Sequence, residues 1–219
     1  MRINKFIAQA TGLSRRTADT AIAEGRVAVN GQVPGPGLQV TEADTVTLDG
    51  QPLSAPATLI TIMLNKPVGY VCSRDGQGSR TIYDLLAPEY HSLKAVGRLD
   101  KYSSGLLLLT NDGVLANQLT HPRYAKQKVY KVSLNRPLEP LHQQMINDYG
   151  IKLDDGVSKL TLEKVDEPGF DWRVRMSEGR NRQIRRTFSA LDYTVNTLHR
   201  THFGSYSLGD LKPGQVKPV

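Results

Sequence analysis

The chain has 219 residues, a net charge of +7, a sequence pI near 9.5, ordinary apolar content and one cysteine. That length suits one large domain or two modest ones. No apolar stretch is long enough to cross a membrane, and Cys72 alone excludes an internal disulfide and a Cys-rich metal site. The positive balance asks for a polyanionic partner, either nucleic acid or an anionic membrane surface. Met1 to Lys5 lead into an amphipathic segment rather than an apolar signal region, so the expected compartment is the cytoplasm.

Ile3, Phe6, Ile7 and Ala10 share one face of a predicted helix that ends at Thr11-Gly12. Ser14 reads as the N-cap of a second helix running to Glu24, with Gly25 as its stop. Ala18, Ala21 and Ile22 then face inward and leave Arg15 and Arg16 exposed. Val27 to Val33 form two short strand runs around Asn30-Gly31, a hairpin signal, and Asp49-Gly50 sets a second tight turn between Thr45 and Leu53. Residues 1–31 carry five basic and two acidic side chains, and residues 32–60 carry none and three, so this first module is nearly neutral with one basic face. Ser54 to Thr58 read as a linker, which divides the chain into residues 1–57 and 58–219.

In the second part, Ile60–Leu64 reads as a strand, and Pro67 and Gly69 turn the chain into another extended run. Thr81–Ala87 has helical spacing with a proline stop. The polar loop Gly97-Arg98-Leu99-Asp100 precedes a wholly apolar run, Leu106–Leu109, closed by Asn111-Asp112-Gly113. Such a run suits a strand buried on both faces, with Asp100 on a loop at its end. By chemistry alone, Asp100 is first of all a residue that caps the loop or pairs with Arg98. Further predicted elements are a helix over Gly113–Thr120 with Leu115 and Leu119 inward, a strand from Val129, and a helix over Pro140–Tyr149. Two strands follow, over Lys159–Val165 and Trp172–Met176. His121, before Pro122, reads as a helix-end residue. After Gly179, Ile184, Phe188 and Leu191 share a helical face. Crowded arginines near that helix start repel one another unless an anion, phosphate or carboxylate, relieves them.

Gly97-Arg98-Leu99-Asp100, Ser103-x-Gly105 and the leucine run ending in Thr110-Asn111-Asp112-Gly113 resemble the signature of pseudouridine synthases. The branch is the ribosomal RNA one, the RsuA/RluB/RluE/RluF family, where Ser103 is usually Thr. Lys66-Pro67-x-Gly69, Lys128-x-Tyr130, and Glu178-Gly179 with Gln183-x-Arg185-Arg186 resemble further motifs of that family. Residues 2–50 resemble an S-four-type RNA-binding module. The resemblance implies an α+β protein: a helix-helix-hairpin module joined to a catalytic domain on a mixed, mainly antiparallel sheet flanked by helices. It implies Asp100 as the catalytic carboxylate, Tyr130 as the ring that packs on a flipped-out uracil, and Arg185 as the partner that keeps Asp100 ionised. Arg186 is an adjacent alternative to Arg185. Arg98 is assigned to the RNA, where it helps occupy or hold open the space the base vacates, Arg182, Gln183 and Arg186 to the RNA or the site wall, and Lys5, Arg15, Arg16 and Arg26 to the RNA backbone.

The reaction implied is isomerisation of uridine in ribosomal RNA, 16S or 23S, free or in an assembly intermediate. It needs no cofactor, energy donor or metal, and a monomer is expected. Whether the carboxylate attacks the sugar or acts as a base stays open. Three rivals are a non-catalytic RNA-binding protein, a glycosidase, which ordinarily needs a second carboxylate, and a DNA-binding protein, which has only the charge in its favour.

Overall fold

A computed structural model describes residues 1–54 and 58–219. The middle of the expected linker, residues 55–57, lies outside the described residues. Two compact units result, Met1–Ile60 and Thr61–Val219.

The first unit begins with α1 (Ile3–Thr11), which stops where Gly12 takes a left-handed conformation. In α2 (Arg15–Ala23) the Ser14 hydroxyl accepts from the Thr17 amide, as its N-cap position predicts. Ile3, Ile7, Ala18, Ala21 and Ile22 are buried together with valines of a small sheet. That sheet runs β1 (Val27–Val29), β2 (Val46–Leu48), β3 (Gln51–Leu53), antiparallel throughout. The turn at Asp49-Gly50 forms, with both residues at positive φ. The turn at Asn30-Gly31 also forms, but the hairpin expected around it does not extend. Beyond a single bridge from Val29 to Gln32, β1 pairs with β2, and Val33 is exposed. Pro34 and Pro36 have no amide to give a ladder, so the chain after Val33 cannot continue as the partner of β1, and β2 takes that place.

In the second unit β4 (Thr61–Lys66) leads into a loop. The extended run expected after Gly69 is reduced to one bridge from Val71 to Thr81. The helix expected near Ile82 is a 3₁₀ turn, Ile82–Leu85: the Thr81 amide and hydroxyl donate to the Asp84 carboxylate and start it, and the chain turns extended at Leu86, ahead of Pro88. Then come β5 (Lys94–Val96), β6 (Ser104–Thr110), α3 (Gly113–Thr120) and β7 (Lys128–Leu134). The Asp112 carboxylate caps α3 by accepting from the Val114 and Leu115 amides. Next is α4 (Pro140–Gln144), whose final turn widens through Tyr149. The chain ends with β8 (Ile151–Leu153), β9 (Gly156–Ser158), β10 (Thr161–Lys164), β11 (Asp171–Met176), α5 (Gln183–Ser189), β12 (Val195–Phe203), β13 (Tyr206–Ser207) and β14 (Val216–Pro218).

Among the described residues nine strands form one mixed sheet in the order β10-β11-β7-β12-β6-β4-β14, with β13 on β12 and β5 on β6. Among the described residues, β12 and β6 are the one pair of strands in it that runs parallel. Strand β6 is buried on both faces, as its unbroken leucine run predicts. Leu107 and Leu109 join one core with Ile62, Leu64, Val174 and Phe188, while Leu106 and Leu108 join another with Met63, Val96 and Phe203. The parallel contact requires Gly105, at φ +103°, since a Cβ there would lie 2.2 Å from the Arg200 carbonyl oxygen.

Candidate active site

A cleft of about 540 Å³ opens over the ends of β6, β7 and β12. Its wall includes Arg98, Asp100, Tyr130, Arg182, Gln183 and Arg200, with apolar surface from Ile184, Leu198 and Phe203. Asp100 sits between β5 and β6, and its loop is fixed from several sides. Leu99 is buried, and its amide and carbonyl both meet the Cys72 sulfur. The Ser103 amide donates to the Asp100 carbonyl at 3.1 Å, and the Gly69 amide to the Lys101 carbonyl at 2.7 Å.

Below the loop lies Lys66, with no exposed surface. Its ammonium donates to the carbonyls of Pro67, Asp100 and Ser103 at 3.0, 3.1 and 2.8 Å. Burial pulls the Lys66 pKa down to about 8, against the opposing pull of Cys72 and Asp100. Burial likewise raises the Cys72 thiol. The Lys-Pro motif thus ties two loops together by donating to their backbone. Among the described residues the Asp100 carboxylate forms no ion pair, and none joins it to Arg98, which stands exposed on the cleft wall. The other cleft carboxylate, Glu178, pairs with Arg180.

The arginines near α5 separate into different tasks. Arg185 donates to the Val195 carbonyl at 2.7 Å and to the Tyr102 carbonyl at 2.8 Å, so it braces the Asp100 loop through the backbone and makes no ion pair with Asp100. Burial lowers its pKa, with Arg182 adding to that and Asp100 opposing it. Arg186 turns to Asp154 and Asp155 in the β8–β9 turn, and Arg180 to Asp155 and Glu178. Protein carboxylates therefore relieve most of the charge crowding that the sequence leaves open for phosphate, and Arg186 is neutralised rather than offered to RNA. Gln183 is 3% exposed, with its oxygen taking the Arg180 amide and its nitrogen donating to Ser158. Its amide is engaged within the wall rather than offered to a ligand. Arg182, at the start of α5, stays exposed on the cleft.

Tyr130 is 7% exposed and lines the cleft from β7. Lys128, two residues earlier, donates to the Glu178 carbonyl at 2.9 Å and lies 5.4 Å from the Phe203 ring centre. Burial lowers its pKa, and the charge of Arg200 adds to the effect. Sequence reading missed Lys128 and Arg200 as cleft groups. The available signal for Arg200 was a charged residue two positions after Leu198, on the inward phase of an alternating strand.

In the first unit, Arg16 and Lys5 have no ion pair among the described residues, and Arg15 donates to Asn4. Arg26 differs: it holds Asp49 with two hydrogen bonds and also pairs with Glu24, which raises its pKa. It closes the β2–β3 turn onto α2 instead of presenting a free charge.

Residues 60–190 match the family described as RNA pseudouridylate synthase, and residues 1–46 match the S4 domain. The chain is 37% identical over 226 residues to ribosomal small subunit pseudouridine synthase A of Yersinia pestis, covering all of this chain and 94% of that one. It is 36% identical to the protein of that name from Escherichia coli strain K12, over all of this chain and 96% of the relative. Among solved structures, a pseudouridylate synthase crystal structure superposes with a TM-score of 0.72 at 33% identity, over all of this chain and 96% of that one. The chain belongs to the RNA pseudouridylate synthase family, carries an N-terminal S4 domain, and is a pseudouridine synthase.

Proposed function

We propose that this enzyme converts a uridine of small-subunit ribosomal RNA to pseudouridine, with Asp100 as the catalytic carboxylate acting on a nucleotide flipped into the cleft. The observation that carries the reading is the treatment of Asp100: its carbonyl accepts from Lys66 and Ser103 and Arg185 braces its loop at Tyr102, while among the described residues its carboxylate forms no ion pair. A group held in place but unpaired is suited to act on a ligand. The choice of the small subunit follows the names of the two relatives.

In this reading the base leaves its helix and packs on Tyr130. Arg98 and Arg182, exposed on the cleft, hold the flanking phosphates. Arg185 is a positioning residue that sets the Asp100 loop through Tyr102. Lys5, Arg15 and Arg16 contact RNA backbone from the first unit. The reaction breaks the bond from ribose to N1 and makes one to C5, so substrate and product are isomers.

The test is pseudouridine mapping of ribosomal RNA from cells lacking the gene, complemented with wild type or Asp100→Asn. One small-subunit site, or a few adjacent ones, disappears on deletion and returns with wild type alone. Restoration by Asp100→Asn would move the chemistry to another residue, and loss of a large-subunit site would correct the substrate.

A further inference from the structure

Arg200 lies on β12, directly opposite Tyr130 on β7 and beside Gly105 on β6. It is 2% exposed, yet it lines the cleft. Its Nε donates to the Leu106 carbonyl at 2.8 Å. One terminal nitrogen, Nη2, is buried with no hydrogen-bond partner, and no carboxylate lies in ion-pair range among the described residues. The guanidinium carbon stands 4.8 Å from the Phe203 ring centre, against the same ring that Lys128 faces. A second buried polar atom on the cleft wall, the Ser103 hydroxyl, also lacks a partner.

A buried guanidinium with an unmet donor is costly, and a second cation against the same ring adds repulsion. Both costs fall if a ligand brings an electron-rich oxygen. A register shift in the β12–β7 pairing follows Arg200 directly, a feature that re-aims side chains next to active sites.

We propose that Arg200 donates to a carbonyl oxygen of the target uracil and stabilises the negative charge the base takes up as its bond to ribose breaks. This rests on the function proposed above. If the uracil packs on Tyr130, the cross-strand neighbour of Tyr130 meets the ring's edge, since paired residues on adjacent strands lie about 5 Å apart. A backbone phosphate fits this place poorly, because the site is deep and flanked by Leu198 and Phe203, while Arg98 and Arg182 wait exposed. When the N1–C1′ bond breaks, its electron pair stays on the base and spreads over the carbonyl oxygens. C1′ is satisfied by the Asp100 carboxylate or by loss of the neighbouring C2′ proton, which returns at the end. The ring then bonds to C1′ through C5, and the C5 proton passes to N1. A donor fixed at the carbonyl binds the charged base more strongly than the neutral one, and that difference lowers the barrier.

The experiment measures single-turnover rates and RNA affinity for the full chain and for Arg200→Met and Arg200→Lys, on a small-subunit RNA carrying uridine or 5-fluorouridine at the mapped site. Fluorine already stabilises the uracil anion. Arg200→Met is expected to slow loss of uridine about a hundredfold with affinity within about threefold, and to slow loss of 5-fluorouridine clearly less. Arg200→Lys, which keeps the charge, falls between and carries the same comparison if the Met variant does not fold. Equal losses on both RNAs would show that Arg200 only supports the structure. A defect confined to affinity would make it a phosphate contact; either result overturns the inference. Wild type inert on the RNA overturns the proposed function as well, whereas active wild type with unimpaired variants overturns this inference alone.

Discussion

Lys66 donates to three backbone carbonyls from a position with no exposed surface. Replacing it with Met removes those bonds and strands the carbonyls, so chemical denaturation is expected to show a loss of roughly 2–4 kcal/mol. The pH dependence has a definite sign. In the folded chain Lys66 loses its proton near pH 8, and in the unfolded chain near its ordinary 10.5. Between those values the unfolded chain binds more protons, so this residue's contribution to stability rises with pH. The stability gap between wild type and Lys66→Met is therefore expected to widen from about pH 8 toward 10.5, and a gap that shrinks with rising pH would show that the folded pKa is raised, with the three carbonyls outweighing the effect of burial. At Tyr130 the ring is the functional part of the proposal. Tyr130→Ala is expected to weaken RNA binding by about 1–3 kcal/mol, the range for loss of base stacking, whereas Tyr130→Phe keeps the affinity of wild type.

At the scale of elements, the sheet depends on one parallel contact. A Cβ on Gly105 meets the backbone of Arg200 at 2.2 Å, and its φ of +103° excludes an unstrained alanine. Gly105→Ala is expected to cost at least about 3 kcal/mol, read as a lowered denaturation midpoint, and to displace the strand that carries Arg200. The β8–β9 turn is held differently. Asp155 takes both Arg180 and Arg186, and their charge, with the Arg186 hydrogen bond first, holds its pKa below the usual carboxylate value. What that pair contributes is present above the ordinary carboxylate range and is lost as pH falls through the lowered value. Asp155→Asn removes the carboxylate that Arg180 and Arg186 share, leaving Arg180 with Glu178 and Arg186 with Asp154, and adds one net positive charge beside the cleft. It is expected to tighten non-specific RNA binding and steepen its salt dependence.

For the whole molecule, charge is divided unevenly. Residues 1–60 hold five basic and five acidic side chains, so residues 61–219 carry the entire net charge of +7. The first unit therefore acts through the placement of its charges rather than their excess. If Arg16 contacts a phosphate, Arg16→Ala lowers the slope of log affinity against log salt by about one. Arg26→Ala leaves that slope unchanged and loosens the β2–β3 turn instead, since Arg26 is already held by Asp49 and Glu24. Equal slopes for both variants would remove the distinction drawn between them.

The sequence by itself determined what short-range chemistry can enforce. The caps at Ser14 and Asp112, the stop at Gly12 and the turns at Asn30-Gly31 and Asp49-Gly50 each rest on a few adjacent residues. The doubly buried β6 rests on an unbroken apolar run. The family resemblance singled out Asp100, Tyr130 and Arg185, and the fold places Asp100 and Tyr130 on one cleft with Arg185 bracing the Asp100 loop. Tertiary structure decided whatever depended on partners distant in the chain. It gave β1 to β2 in place of a local hairpin and turned Arg185 onto backbone carbonyls. It also supplied Asp154 and Asp155 to arginines about 30 residues away. Pattern reading cannot reach these outcomes, because the nearest opposite charge or open strand edge is a property of where the sheet brings the chain back. Arg200 is the sharpest instance: its charge is plain in the sequence, and only the packing of β12 against Gly105 and Tyr130 reveals that it is buried and incompletely bonded.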